Sequence, residues 1–159
     1  DTLGADVFVA GVMKQCAGSL MNFLPAIIFL VGCFLAFATG TSWGTFGILI
    51  PIVVAVFENS DPKLMIISIS ACMAGSVCGD HCSPISDTTI MASAGSQSNH
   101  VNHVSTQLPY AMTVAAVSFI SYILAGFIKN AFIVLPISIV MMIGILLIIK
   151  KQTAHKQRA

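Results

Sequence analysis

The chain reads as an all-α integral membrane protein, and three observations carry that reading. Of its 159 residues, 57% are hydrophobic and 8% charged, with a mean hydropathy of +0.94, whereas a soluble domain carries roughly 25% charged residues. Apolar runs near the length of a bilayer-crossing helix recur, the last of them followed by a basic tail. The polar chemistry is gathered into short stretches, above all Gly79 to Thr89, GDHCSPISDTT, where two carboxylates, an imidazole, a thiol and four hydroxyls lie between apolar flanks. A net charge of +1 offers no basic field for nucleic acid and no acidic field for basic substrates. The lipid bilayer, not nucleic acid, is the expected environment.

Residues 1–20, DTLGADVFVAGVMKQCAGSL, carry charges at Asp1, Asp6 and Lys14 and suit a connector or amphipathic segment lying along the membrane face. The chain starts at Asp1 without a methionine, a basic n-region or a cleavage site, as expected of the C-terminal portion of a larger protein. Residues 21–57 are predicted as a re-entrant hairpin. Leu24 to Ala38 and Phe46 to Phe57 are apolar runs of 15 and 12 residues, below the roughly 17 that a span requires. They flank a hydroxyl-rich tip, Thr39 to Thr45, TGTSWGT. The competing reading is one helix kinked at Gly40 and Gly44.

Glu58 to Lys63 is a polar turn, and residues 64–94 then read as a broken helix. The apolar run Leu64 to Cys78 stops at Gly79, and Thr88 to Ala94 supplies about two further turns. Non-helical backbone at membrane depth is tolerated only beside protein or a water-filled cavity, so the break from Gly79 to Asp87 marks a candidate site. Gly95 to Gln107, GSQSNHVNHVSTQ, reads as a polar inner loop. Residues 110–128 and 131–149 read as spanning helices joined by a tight turn at Lys129-Asn130, and 150–159, KKQTAHKQRA, as a basic tail on the cytoplasmic side. Together these form a single multi-pass domain, 1–159, of the cytoplasmic membrane. The five cysteines form no C-x-x-C pair and suit small packing thiols.

Within the break, Pro84 lacks an amide hydrogen and clashes with the carbonyl four residues back, so the Asp80 carbonyl is expected to be free. Main-chain oxygens beside Asp80 and Asp87, with the hydroxyls of Ser83, Ser86 and Thr88, make an oxygen shell of the kind a hard cation such as Na⁺ takes. Thr41, Ser42 and Thr45 of the hairpin tip are candidates for the same shell. An intramembrane carboxylate is costly and is a functional-site hypothesis by default. Out of water it also favours its protonated form, so one carboxylate can hold either a proton or Na⁺. Asp87 has a competing role, capping the following helix through the amides of Thr89 or Ile90. Asp80 lies at the negative end of the preceding helix, which favours a cation there.

His81 is a candidate proton carrier. Zinc at Cys78, Asp80, His81 and Cys82 is disfavoured because the spacing is not that of a structural zinc site. His100 and His103 read either as solvated loop residues or as sensors of cytoplasmic pH. Ala71, Gly75 and Gly79 recur every four residues beside Ser68, Cys72 and Ser76, a surface that lets another helix approach closely.

The stretches ATGTSWGTFGILIPI, Ala38 to Ile52, and GSVCGDHCSPISDTTIMAS, Gly75 to Ser93, resemble the NhaC family of Na⁺/H⁺ antiporters, within the ion transporter superfamily. The similarity covers most of the chain from about Ala17 to Ile128. It implies a secondary transporter, not an enzyme, built from two inverted repeats. This chain would supply the second repeat, with its hairpin, its broken helix and the spans that follow. The missing N-terminal repeat would complete the site, where hairpin tip and unwound segment meet near the midplane. The implied function is exchange of Na⁺ for H⁺, with no cofactor besides the transported ions. The alternative is Na⁺/H⁺-coupled exchange of organic acids such as malate and lactate, whose carboxylates a hydroxyl-rich tip could bind. A membrane metalloenzyme and a structural subunit are the readings from other classes, and a homodimer is left open.

Overall fold

The computed structural model describes residues 19–58 and 61–156, which form six helices and no strands. They are α1 Ser19–Thr39, α2 Ser42–Phe57, α3 Pro62–Cys82, α4 Asp87–Gly95, α5 His100–Ile128 and α6 Ala131–Lys156. Four of them, α1, α3, α5 and α6, are long and apolar enough to cross a membrane. The connector segment expected at the N-terminus lies, up to residue 18, outside the described residues.

A helical hairpin is present, with arms longer than their apolar runs and a first arm long enough to cross a membrane. Ser19–Thr39 has 21 residues and Ser42–Phe57 has 16, so the seven-residue link predicted at Thr39 to Thr45 shrinks to Gly40 and Thr41. Gly40 takes φ +69°, which breaks the helix and excludes one continuous kinked rod. Thr41 then caps α2, its side chain accepting from the Gly44 amide. Leu24 near the start of α1 packs with Val53 and Phe57 of α2 and Leu64 of α3. The two arms therefore run antiparallel, and α3 starts at their open end.

From there α3 runs parallel to α1, and the contact is backbone to backbone. A Cβ at Gly75 would fall on the Phe29 carbonyl, and one at Gly79 on that of Cys33. Cys72 is fully buried in this seam, and the four described cysteines are free thiols. The helix α3 passes through Gly79 and Asp80 and ends at Cys82, four residues beyond the predicted stop. The residue before a proline is driven out of the helical region, and Ser83 accordingly lies at φ −78°, ψ 127°. At 21 residues α3 is about 30 Å long, a full span by length and not a half-helix. The break is Ser83 to Ser86.

The segment read as an inner loop is mostly helix. The connection after α4 is only Ser96 to Asn99, and the Asn99 side chain accepts from the Asn102 amide to start α5 at His100. This start lies ten residues before the predicted span, and the helix continues through Pro109. Thr106 and Ser105 hydroxyls donate back to the Asn102 carbonyl, so polar side chains are bonded along the helix. The helix α5 lies antiparallel to α1, with Phe23 against Phe127 and Phe29 against Tyr122 at ring separations of 5.1 and 5.5 Å. It closes at Lys129, in the left-handed region at φ 51°, and α6 returns beside it. The tail is helical as far as Lys156.

Candidate functional site

Three helix ends converge at Asp80. The end of α3 places its carboxylate, the start of α2 places Ser42, and the start of α4 places Ser86 and Thr88. Ser86 Oγ donates to Asp80 Oδ1 at 2.6 Å, Ser42 Oγ to Oδ2 at 3.3 Å, and Thr88 Oγ1 to Oδ2 at 3.3 Å. Asp80 is 3% exposed, and Ser42 and Ser86 are buried with it. Ser86 and Thr88 hydroxyls are also 2.7 Å apart, and the Thr88 amide donates to Ser86 Oγ, which makes Ser86 the cap of α4. The helices α2 and α4 thus present their positive N-terminal ends to the carboxylate, while α3 presents its negative C-terminal end.

The hairpin tip and the break touch directly. Ser83 Oγ donates to the Phe37 carbonyl at 2.8 Å. A Cβ at Gly40 would sit 2.9 Å from the Ile85 carbonyl oxygen, so a side chain there would separate the two segments. Tip and break form one unit.

The other candidates lie apart from Asp80 or serve local structure. Thr45 Oγ1 donates to the Thr41 carbonyl and lies 3.3 Å from Thr39 Oγ1, so Thr41 and Thr45 fasten the tip internally. Asp87 is the exposed first residue of α4 and makes no hydrogen bond to the described residues. The competing role as a cap is taken by Ser86, because the helix starts one residue earlier than a cap at Asp87 requires. The Asp80 carbonyl is not free either, since the Ser83 amide donates to it at 3.1 Å in place of the hydrogen that Pro84 lacks. His81 Nδ1 lies 3.1 Å from the Val77 carbonyl. The residue lines a cleft of about 730 Å³ with Gln107 and Tyr110 of α5, away from the carboxylate. No group of three or more His, Cys, Asp or Glu among the described residues is placed to hold a metal ion.

One residue counted among the solvated loop histidines is tied into the site's surroundings. His100 Nε2 is 2.7 Å from the Pro84 carbonyl, and Nδ1 is 3.0 Å from Ser93 Oγ. The signal that could have found it is Asn99, a helix-capping residue type placed just before it. At the opposite end of the bundle, Lys129 Nζ pairs with Asp61 at 3.0 Å. That ammonium, helped by the Lys63 amide, holds the Asp61 carboxyl below its usual range.

The Na⁺/H⁺ antiporter family model matches residues 1–127. An uncharacterized protein of Haemophilus influenzae is 52% identical over 132 residues, which is 83% of this chain and 25% of that protein. A Malate-2H(+)/Na(+)-lactate antiporter of Bacillus subtilis is 30% identical over 112 residues, 67% of this chain and 24% of its own length. No solved structure matches. The chain spans about a quarter of the length of these relatives. A family match over residues 1–127, which include the hairpin, the break and nearly all of α5, places this chain in the Na⁺/H⁺ antiporter family.

Proposed function

We propose that this chain is the C-terminal portion of a cytoplasmic-membrane exchanger of Na⁺ for H⁺, in which both ions compete for Asp80. The observation that carries the reading is a buried carboxylate held by hydroxyls where three helix ends converge, in a chain of an antiporter family. Each hydroxyl can donate or accept. With Asp80 ionised and no cation present, Ser42, Ser86 and Thr88 donate to it. With a proton on Oδ1, Asp80 donates to Ser86 and the Ser86 hydrogen turns away. With Na⁺ present, the hydroxyl hydrogens turn outward and their lone pairs join the carboxylate around the cation. One shell therefore serves both ions, and movement of the loaded forms alone couples them in opposite directions.

In this reading α1 and α2 are the re-entrant hairpin of the second inverted repeat, and an N-terminal repeat completes the site. Thr41 and Thr45 support the shell by fastening the tip internally, and Ser83 by fixing the break to Phe37. A second reading, coupled exchange of organic acids, is favoured by the name of the Bacillus subtilis relative. Against it, no lysine or arginine among the described residues hydrogen-bonds at the site, and Lys129 is paired with Asp61.

The test is proton movement in inside-out vesicles carrying the full-length protein, acidified by respiration before NaCl is added. Alkalinisation that falls to background in Asp80→Asn is expected. A response that needs malate or lactate as well as Na⁺ would establish the second reading, and full activity in Asp80→Asn would remove Asp80 from the mechanism.

A further inference from the structure

We infer that His100 is a positioning residue that straps the unwound segment beside Asp80 to α4 and α5, and that the strap holds whether or not the imidazole is protonated. The break leaves carbonyls without helical partners. That of Ser83 accepts from the Ser86 amide at 3.4 Å, while that of Pro84 accepts from His100 Nε2 at 2.7 Å. His100 opens α5, and its other nitrogen lies 3.0 Å from Ser93 Oγ on α4. One ring therefore joins the break, α4 and α5.

The protonation pattern follows from counting hydrogens. A carbonyl oxygen only accepts, so Nε2 carries a hydrogen. The Ser93 hydroxyl has one hydrogen and two acceptors in reach, the Ile90 carbonyl at 2.8 Å and His100 Nδ1. With a neutral ring, Ser93 donates to Nδ1. With a protonated ring, Nδ1–H donates to Ser93 Oγ and the Ser93 hydrogen swings to Ile90. The Nε2–H to Pro84 bond is present in both states. The titratable groups on the surrounding elements are Lys63, Cys72, Cys78, Asp80, His81 and Cys82 on α3, Asp87 on α4 and His103, Tyr110 and Tyr122 on α5, and the ring's hydrogen bonds go to Ser93 and Pro84 and to none of these. The strap is thus a structural tie that proton binding at His100 leaves closed, in contrast to a pH sensor.

Its relevance to transport rests on the reading given under Proposed function. Pro84 lies between Ser83, anchored to Phe37, and Ser86, bonded to Asp80 at 2.6 Å. Fixing the Pro84 carbonyl fixes the approach to Ser86, and a coordinating group displaced by more than about 0.5 Å loses its geometry.

The experiment uses the full-length protein with His100→Ala, His100→Asn and His100→Gln. Asn is too short to reach Pro84, whereas Gln places an amide donor the same number of bonds from Cα as Nε2. Amide hydrogen exchange is measured over residues 83–90, with the apparent KM for Na⁺ and the pH profile of transport. Ala and Asn are expected to speed exchange roughly 3- to 10-fold, the factor one hydrogen bond supplies, and to raise the KM more than they lower the maximal rate. Gln is expected to restore both and leave the pH profile in place. Unchanged exchange in Ala and Asn would overturn the strap, and a pH profile displaced in His100→Gln would overturn its independence of protonation. Faster exchange in a protein that shows no Na⁺-driven proton movement would leave the strap standing and the transport reading refuted.

Discussion

Asp80 and Asp87 lie seven residues apart and carry the same functional group, yet their surroundings separate them. Asp80 is buried beneath three hydroxyl donors, while Asp87 is exposed at the first position of α4. Asp87→Asn is therefore expected to retain Na⁺-driven proton movement, losing only a favourable charge at a helix N-terminus. Ser86→Ala removes one oxygen from the proposed cation shell, and losing a group that supports a metal site costs roughly 10- to 100-fold in affinity. Its apparent Na⁺ affinity should fall on the order of tenfold to a hundredfold in the same vesicles, and an unchanged affinity would take Ser86 out of the shell. The sequence identified Asp80, Ser42, Ser86 and Thr88 as residue types suited to a cation. It could not separate them from Thr41, Thr45, Ser83 and Asp87, because adjacent helical residues point about 100° apart. Where each helix ends by one residue decides which hydroxyl faces the carboxylate.

Among the elements, the contact of α1 with α3 sets the site's position. The spacing of Ala71, Gly75 and Gly79 made that contact legible in the sequence, and its partner proved to be the carbonyl ridge of Phe29 and Cys33. Gly79→Ala places a methyl group on the Cys33 backbone, and overpacking of this kind costs about 1–3 kcal/mol. Gly144 on α6 has open space around a new Cβ, and replacing a helical glycine by alanine stabilises by roughly 0.5–1 kcal/mol. Thermal unfolding of the two variants in detergent should move in opposite directions; equal shifts would show that the close α1–α3 approach is not what stabilises the hairpin. The ends of the elements were less legible than their existence. Apolar runs undercount helices whose last turns are polar, as at Asp80 on α3 and from His100 to Gln107 on α5. There caps and back-donating hydroxyls, not hydrophobicity, extend the helix.

Across the whole molecule, the Asp61 and Lys129 turns share one end, and the tip, the break and the start of α5 share the other. The Asp61–Lys129 pair is half-exposed and screened by salt. Because the Asp61 carboxyl is held below its usual range, the pair's contribution is complete at neutral pH and is lost only as pH falls through that lowered value. A membrane protein of several helices was legible from composition and the recurring apolar runs. Which helices cross and which re-enter was not, since α1 and α3 both reach spanning length. The measurement that decides the central claim is binding of radioactive Na⁺ to the purified full-length protein across a pH series. Competition of one proton with one Na⁺ at Asp80 predicts an apparent affinity that weakens about tenfold for each unit of acidification below the site's titration, and no such binding in Asp80→Asn. Na⁺ binding that persists in Asp80→Asn, or that does not change with pH, would contradict it.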